Sequence, residues 1–216
     1  MKKISDLVLR TGKVLISDEV YADQVYGEFH SFLEYADELK QQLVVCNSPS
    51  KTFNASGTLT GYGVFYDGKE ASNYSYMKVM RFAAFTSKFS QITLMSCYTA
   101  GEEWRKATNL YIQENYRLLV RELKKRLPKL TVFELEAGYL PLVDFKNYNI
   151  PGADIDSRLA KYNIFLGHMK IFYVEQKADT TLFRITIAMN REVRGRFISK
   201  LEEAMQSFSA ESREAN

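Results

Sequence analysis

Apolar positions at Ile4, Leu7 and Val8 recur at helical spacing, and Thr11-Gly12 behind them supplies a left-handed stop. Residues 4–10 are therefore predicted as a helix. Residues 13–17 follow as a short run rich in β-branched side chains that ends in Ser17-Asp18-Glu19. This is the pattern of a buried parallel strand that delivers polar groups at its C-terminal end. The motif then repeats, with a helix predicted over 31–42, a buried strand over 43–46 and the polar loop Asn47-Ser48-Pro49-Ser50. A further strand over 61–66 meets the Asp67-Gly68 turn, and a helix is predicted over 70–82. Helix, strand and loop alternate, so this half reads as α/β.

The texture then changes. Residues 90–127 are almost continuously helical, interrupted near Ala100-Gly101 and stopped by Pro128. Beyond them the pattern predicts paired strands over 131–136 and 139–145 around Ala137-Gly138, and a helix over 154–162. Strands over 171–174 and 182–189, a closing helix over 192–208 and a polar tail over 209–216 complete the chain. This half reads as α+β, and the predicted division is 1–95 and 96–216.

Composition narrows the classes of partner. With 46% hydrophobic residues the chain is not disordered, and 29 Lys+Arg against 26 Asp+Glu leave a charge of +3, too small and too mixed to grip nucleic acid. The basic residues Arg117, Arg121, Lys124, Lys125 and Arg126 close a predicted helix, where cations favour the macrodipole. No apolar run approaches the ~20 residues of a membrane span. Asp6 and Arg10 interrupt any apolar leader, and Cys46 and Cys97 lack the spacing of a disulfide or zinc framework, so a cytoplasmic location is expected. His30 and His168 have no acidic or cysteine neighbours at ligand spacing, and no metal site is expected.

Three features carry chemistry. The first is Asp18-Glu19-Val20-Tyr21 at the end of a predicted buried strand, where a carboxylate is expected in a partly dry pocket beside a cation. The second is Ser48-Pro49-Ser50-Lys51-Thr52-Phe53-Asn54, a lysine among small polar residues after the next strand. Lys51 follows Asp18 by 33 residues, one helix plus one strand, which brings both groups to the ligand-binding edge of an α/β sheet. The third is Arg184, set between Phe183 and Ile185 in an apolar strand, where a guanidinium fork suits a carboxylate.

These residues resemble the fold-type-I pyridoxal-phosphate (PLP) enzymes, the class I/II aminotransferases and especially their C–S lyase branch, which includes cystathionine β-lyase. Ile16-Ser17-Asp18-Glu19-Val20-Tyr21 with Val25-Tyr26-Gly27 is similar to the strand bearing the family's cofactor aspartate. Ser48-x-Ser50-Lys51-Thr52-Phe53-Asn54 with Thr60-Gly61-Tyr62-Gly63 is similar to its cofactor-lysine segment. Glu102-Glu103-Trp104 with Tyr111, Asn115 and Tyr116 resembles the branch's interdomain helix. Glu136-x-x-Tyr139-Leu140 with Asp144, and Phe183-Arg184-Ile185, resemble strands of its small domain.

The resemblance implies a partial large domain with a mostly parallel sheet, followed by a small α+β domain. It implies that Lys51 forms the imine with PLP and then takes the Cα proton of an amino-acid substrate. Asp18 would pair with the pyridine nitrogen, Tyr21 with the phenolate oxygen, Ser48 and Ser50 with the phosphate, and Arg184 with the substrate α-carboxylate. One departure is Leu59, eight residues after the lysine, where many aminotransferases carry a phosphate-binding arginine; the C–S lyase branch tolerates its loss. The family's glycine-containing phosphate turn, ring-stacking aromatic and Asn-Pro segment, which lie further toward the N-terminus, have no counterpart here. The expectation is thus the C-terminal part of a C–S β-lyase or aminotransferase, truncated or half of a split enzyme, working as a homodimer or with a complementing N-terminal half. The alternative is a non-catalytic remnant or interaction module.

Overall fold

The computed structural model describes residues 1–80, 86–174 and 179–214. It divides into two compact units, Met1–Thr108 and Asn109–Asn216.

In the first unit, helix α1 (Lys2–Thr11) ends on Gly12, whose φ of 64° is the left-handed stop that the Thr11-Gly12 pair predicts. Strand β1 (Leu15–Asp18) pairs in parallel with β2 (Leu43–Asn47), Leu15 opposite Leu43 and Asp18 opposite Cys46. Strand β3 (Tyr62–Phe65) then adds to β2 antiparallel, giving the order β1-β2-β3. Val8 of α1 packs with Leu39, Leu43 and Val45 to form the core on one sheet face. Ile16 points to the opposite face and is 67% exposed. Among the described residues β1 is hydrogen-bonded on one side only.

The helix predicted over 31–42 is a correction. The segment is a 3-10 turn (Phe32–Tyr35), the single α-turn α2 (Ala36–Leu39) and a second 3-10 turn (Lys40–Gln42). Lys40 takes a φ of 48°, which a continuing helix cannot accommodate. Leu39 is the segment's buried hydrophobic, so too little apolar surface is covered to favour a regular helix. Helix α3 (Pro49–Thr52) follows β2, α4 (Gly68–Met80) follows β3, and residues 81–82 of the helix predicted to 82 lie outside the described residues.

The long helical stretch is two helices, α5 (Lys88–Ala100) and α6 (Glu102–Arg126), separated at Gly101 where the interruption is predicted. The boundary between the units falls within α6. The second unit is built on a four-stranded antiparallel sheet of β4 (Thr131–Val132), β5 (Leu142–Asp144), β6 (Gly167–His168) and β7 (Leu182–Arg184), in the order β4-β5-β7-β6. Helices α7 (Gly152–Lys161) and α8 (Arg191–Glu214) complete it. Leu119 and Leu123 of α6, Ile155 and Leu159 of α7 and Leu201 of α8 are buried together with Val143 and Phe183 of the sheet.

This half differs from the sequence pattern in several details, beginning with the strands predicted over 131–136, 139–145 and 182–189, which are only β4, β5 and β7. The run 171–174 is not a strand: residues Met169–Phe172 form a 3-10 turn, and Ile171 and Phe172 are exposed. The edge of the sheet is instead made by Gly167 and His168, facing Arg184 and Phe183. The closing helix, predicted over 192–208, runs on into the polar tail as far as Glu214.

Candidate functional site

The loop holding Lys51 is shaped before any ligand is considered. Ser48 caps α3, its hydroxyl accepting the Ser50 N–H at 3.1 Å and donating to the Thr60 carbonyl at 2.6 Å. Gln24, which is buried, donates from Nε2 to the Lys51 carbonyl at 3.4 Å. The Ser56 hydroxyl and the Ala55 N–H both donate to the Ser50 carbonyl. Ser90 on α5 donates its hydroxyl to the Thr58 carbonyl at 2.7 Å, tying the helix to the same loop. The Lys51 ammonium and the Ser50 hydroxyl, both on half-buried residues, have no hydrogen-bond or ion-pair partner among the described residues. Among the described residues the Ser50 hydroxyl and the buried Thr52 hydroxyl are unpartnered in this loop, whereas Ser48 has committed its one hydrogen to Thr60.

Asp18 ends β1 in register with Cys46, one strand away from the lysine loop. It is exposed, and its Oδ1 accepts the Val20 N–H at 3.2 Å. Burial, with the Asp18 charge as a second cause, pushes the Cys46 thiol above its ordinary pKa, so this cysteine is no ready nucleophile. The buried carboxylate of the motif is Glu19, one residue on from the aspartate. It is held by the Ser17 and Ser31 hydroxyls and the Phe32 N–H, not by a cation. A sequence signal existed for this, because Ser31 opens the following turn as its cap. Tyr21, half-buried, immediately precedes the 3-10 turn Ala22–Gln24, and burial lifts the neighbouring Tyr26 phenol to about 12.

An aromatic group surrounds the residue two positions beyond Lys51. The Phe53 ring stacks on Trp104 at 5.8 Å and meets Tyr98 edge-on at 5.6 Å, and Tyr62 meets Tyr98 at 6.0 Å. Burial and a hydrogen bond with Tyr62 hold the Tyr98 phenol well above its ordinary pKa. Trp104 thus packs on this loop.

Arg184 lies in the second unit, on β7. Its Cζ stands 5.1 Å from the centroid of the Phe172 ring, and its stem crosses the bare Cα of Gly167. The guanidinium has no acid or hydrogen-bond partner among the described residues. A half-buried cation steadied by an aromatic face and left without an anion is suited to a carboxylate from elsewhere. His168, by contrast, is fully engaged. Nδ1 lies 2.5 Å from Asp156 and Nε2 2.8 Å from the Thr180 carbonyl, while the ring stacks on Phe183. Its acidic partner, twelve residues back in the chain, lies outside the short spacings of a ligand motif.

Asp18 ends β1, and Lys51 lies in α3 just after the adjacent parallel strand β2; over the chain as a whole, the family description Aminotransferase class I and II matches residues 1–201. The chain belongs to that family. Among curated members it is 27% identical to cystathionine beta-lyase PatB of Bacillus subtilis (strain 168) over 161 residues, 74% of this chain and 42% of that protein. It is 25% identical to protein MalY of Escherichia coli (strain K12) over 150 residues, 68% of this chain and 38% of that one. The chain thus spans less than half the length of these curated relatives. The fold is that of cystalysin from Treponema denticola, whose structure contains a pyridoxal 5'-phosphate cofactor: TM-score 0.88 at 20% identity over 95% of this chain and 52% of that one. The PLP-bound C-S lyase from Staphylococcus hominis superposes with a TM-score of 0.78 at 22% identity, over 94% of this chain and 52% of its own. No helix among the described residues is long and apolar enough to cross a membrane.

Proposed function

We propose that this chain supplies the lysine-bearing part of a PLP-dependent C–S β-lyase or aminotransferase acting on amino acids. The observation that carries the reading is the Lys51 amine after β2, without a partner among the described residues, with Asp18 ending the adjacent parallel strand. The donor set fits the cofactor chemically: an amine for its aldehyde, a carboxylate for its ring nitrogen, a phenol for its ring oxygen and the Ser50 hydroxyl for its phosphate. When bound, PLP supplies an electron sink for the carbanion that forms at Cα. Lys51 would hold the cofactor through Nζ, and the same amine, when free, would be the base for the substrate Cα proton. Asp18 would accept the ring N–H, which would keep the ring cationic. Tyr21 donates to the ring oxygen, and Ser48 contributes to phosphate binding only if its hydroxyl leaves the Thr60 carbonyl. Arg184 is proposed as the receptor for the substrate carboxylate through two parallel hydrogen bonds.

The similarity to PatB favours elimination over transamination. The activity is proposed for an assembly in which these residues form one part, since the chain spans 42% of that lyase. The test is the absorbance spectrum of the purified chain with PLP, followed by borohydride reduction and peptide mapping, beside Lys51→Ala. A visible band and a reduced label at Lys51, both missing from the variant, are expected. Labelling spread over the other lysines with no band would overturn the reading, and β-elimination from cystathionine is the assay that follows a positive result.

A further inference from the structure

Helix α3 has a single turn, and a helix that short does not hold its own shape in water. Its start is fixed by the Ser48 cap. Its end is Phe53, whose N–H bonds to the Pro49 carbonyl at 2.9 Å and whose ring enters a slot made by the junction of α5 and α6. Trp104 forms one wall at 5.8 Å, nearly parallel, and Tyr98 another at 5.6 Å, edge-on. The floor is Gly101, where a Cβ would sit 2.5 Å from the Phe53 ring and 2.3 Å from the Cys97 carbonyl. Any side chain at 101 would therefore expel the ring or distort the helix end. The break between α5 and α6, expected from sequence merely as an interruption, is thus also the seat of a side chain two residues from Lys51.

We infer that Phe53 is a positioning residue for Lys51: its ring, seated on Gly101 between Tyr98 and Trp104, fixes the end of α3 and with it the base of the lysine side chain. Aromatic pairs of this kind contribute about 0.5–1.5 kcal/mol each beyond their buried area, enough to select one arrangement of a short loop. Phe53 and its neighbours need not touch substrate or cofactor for this; they act through the backbone of α3. The consequence for catalysis rests on the assignment of Lys51 made above, but the positioning itself does not.

The test separates the two. Competitive acylation of the full chain with a light and heavy reagent, mapped by mass spectrometry over a pH series, reads the reactivity of Lys51 against the other lysines without any cofactor. Phe53→Leu and Trp104→Leu are expected to change the reactivity of the half-buried Lys51 relative to the other lysines by about threefold or more, as loss of one aromatic pair allows. Trp104→Phe, which keeps a ring, restores the parental profile. Should Phe53→Leu fail to fold, Trp104→Leu decides, because Trp104 is 46% exposed and its loss is tolerable. An unchanged Lys51 profile in a folded leucine variant, or an equal change in Trp104→Phe, overturns the inference. Borohydride trapping with PLP is run on the same proteins. If the parent takes no label at Lys51 while the acylation profile still responds to Phe53, the cofactor reading fails and the positioning role stands.

Discussion

The carboxylate of Glu19 receives the Ser31 hydroxyl at 2.7 Å, and its second oxygen receives the Phe32 N–H at 3.0 Å. The loop that follows β1 is thereby tied to the start of the next helical segment, just behind Asp18. Removing a buried acceptor strands its donors, and Glu19→Ala is expected to cost about 2–3 kcal/mol. Glu19→Gln keeps an oxygen and should cost less. Urea unfolding of the two variants checks the order, and equal costs would show that the carboxylate is not what secures the loop.

Asn115 plays the corresponding part in the second unit. Its Nδ2 donates to the carbonyls of Ile187 and Met189 at 3.0 and 2.8 Å, while Oδ1 accepts from Arg194 at 2.6 Å. Although polar, it is buried on α6 among hydrophobic neighbours. Asn115→Ala is expected to destabilise by about 2–4 kcal/mol, the combined cost of a small cavity and stranded carbonyls. Thermal unfolding should show a clear drop, and a change within the error of the parent would rule the network unimportant.

Gly167 stands opposite Arg184 in the β6–β7 pair, and a Cβ there would lie 2.5 Å from Arg184 Cγ and 2.6 Å from its Nε. Gly167→Ala should destabilise by about 1–3 kcal/mol through overpacking. The same substitution made on Arg184→Ala should cost far less, since the obstructing stem has gone. A double-mutant cycle on unfolding free energies gives the coupling, and additivity would mean that Arg184 is free to move aside.

Glu102 offers a pH test. The Arg105 guanidinium, bonded to it through two nitrogens at 2.8 Å, holds its pKa down from an ordinary 4.5 to about 2. A carboxylate depressed on folding contributes stability that is present above the ordinary value and lost as pH falls toward the depressed one. Glu102→Gln should therefore lower the melting temperature slightly near neutrality and flatten its fall between about pH 4.5 and 2, so that variant and parent converge in acid, with a weaker effect in high salt. Parallel acid limbs in the parent and the variant would contradict this.

Local signals in the sequence located much of this structure. Thr11-Gly12 stops α1, the apolar run at 43–46 forms β2, and the break at Ala100-Gly101 divides α5 from α6. Each is set by neighbours in the chain. The failures are places where apolar residues had no surface to cover: 171–174 has the composition of a strand but turns in 3-10 geometry, with Val174 fully exposed. The 33-residue spacing was enough to put Asp18 at the end of β1 and Lys51 just beyond the end of the adjacent β2, because one parallel crossover fixes both strand ends. It was silent on which of two neighbouring carboxylates is buried, since that depends on Ser31 folding back onto Glu19. The Phe53 slot left no trace either, as its walls lie some 45–51 residues further along the chain and no periodicity links them.

Among the described residues, strand β1 has no strand partner along its outer side, beside the exposed Ile16. The direction of whatever strand docks there carries information. A segment that continues the alternation of helix and strand enters parallel to β1, as β2 does. Two copies of this chain sharing one continuous sheet across an exact two-fold axis must instead set β1 against β1 antiparallel. The polarity of the neighbour at Leu15–Asp18 thus distinguishes a completed sheet from a pair of identical chains.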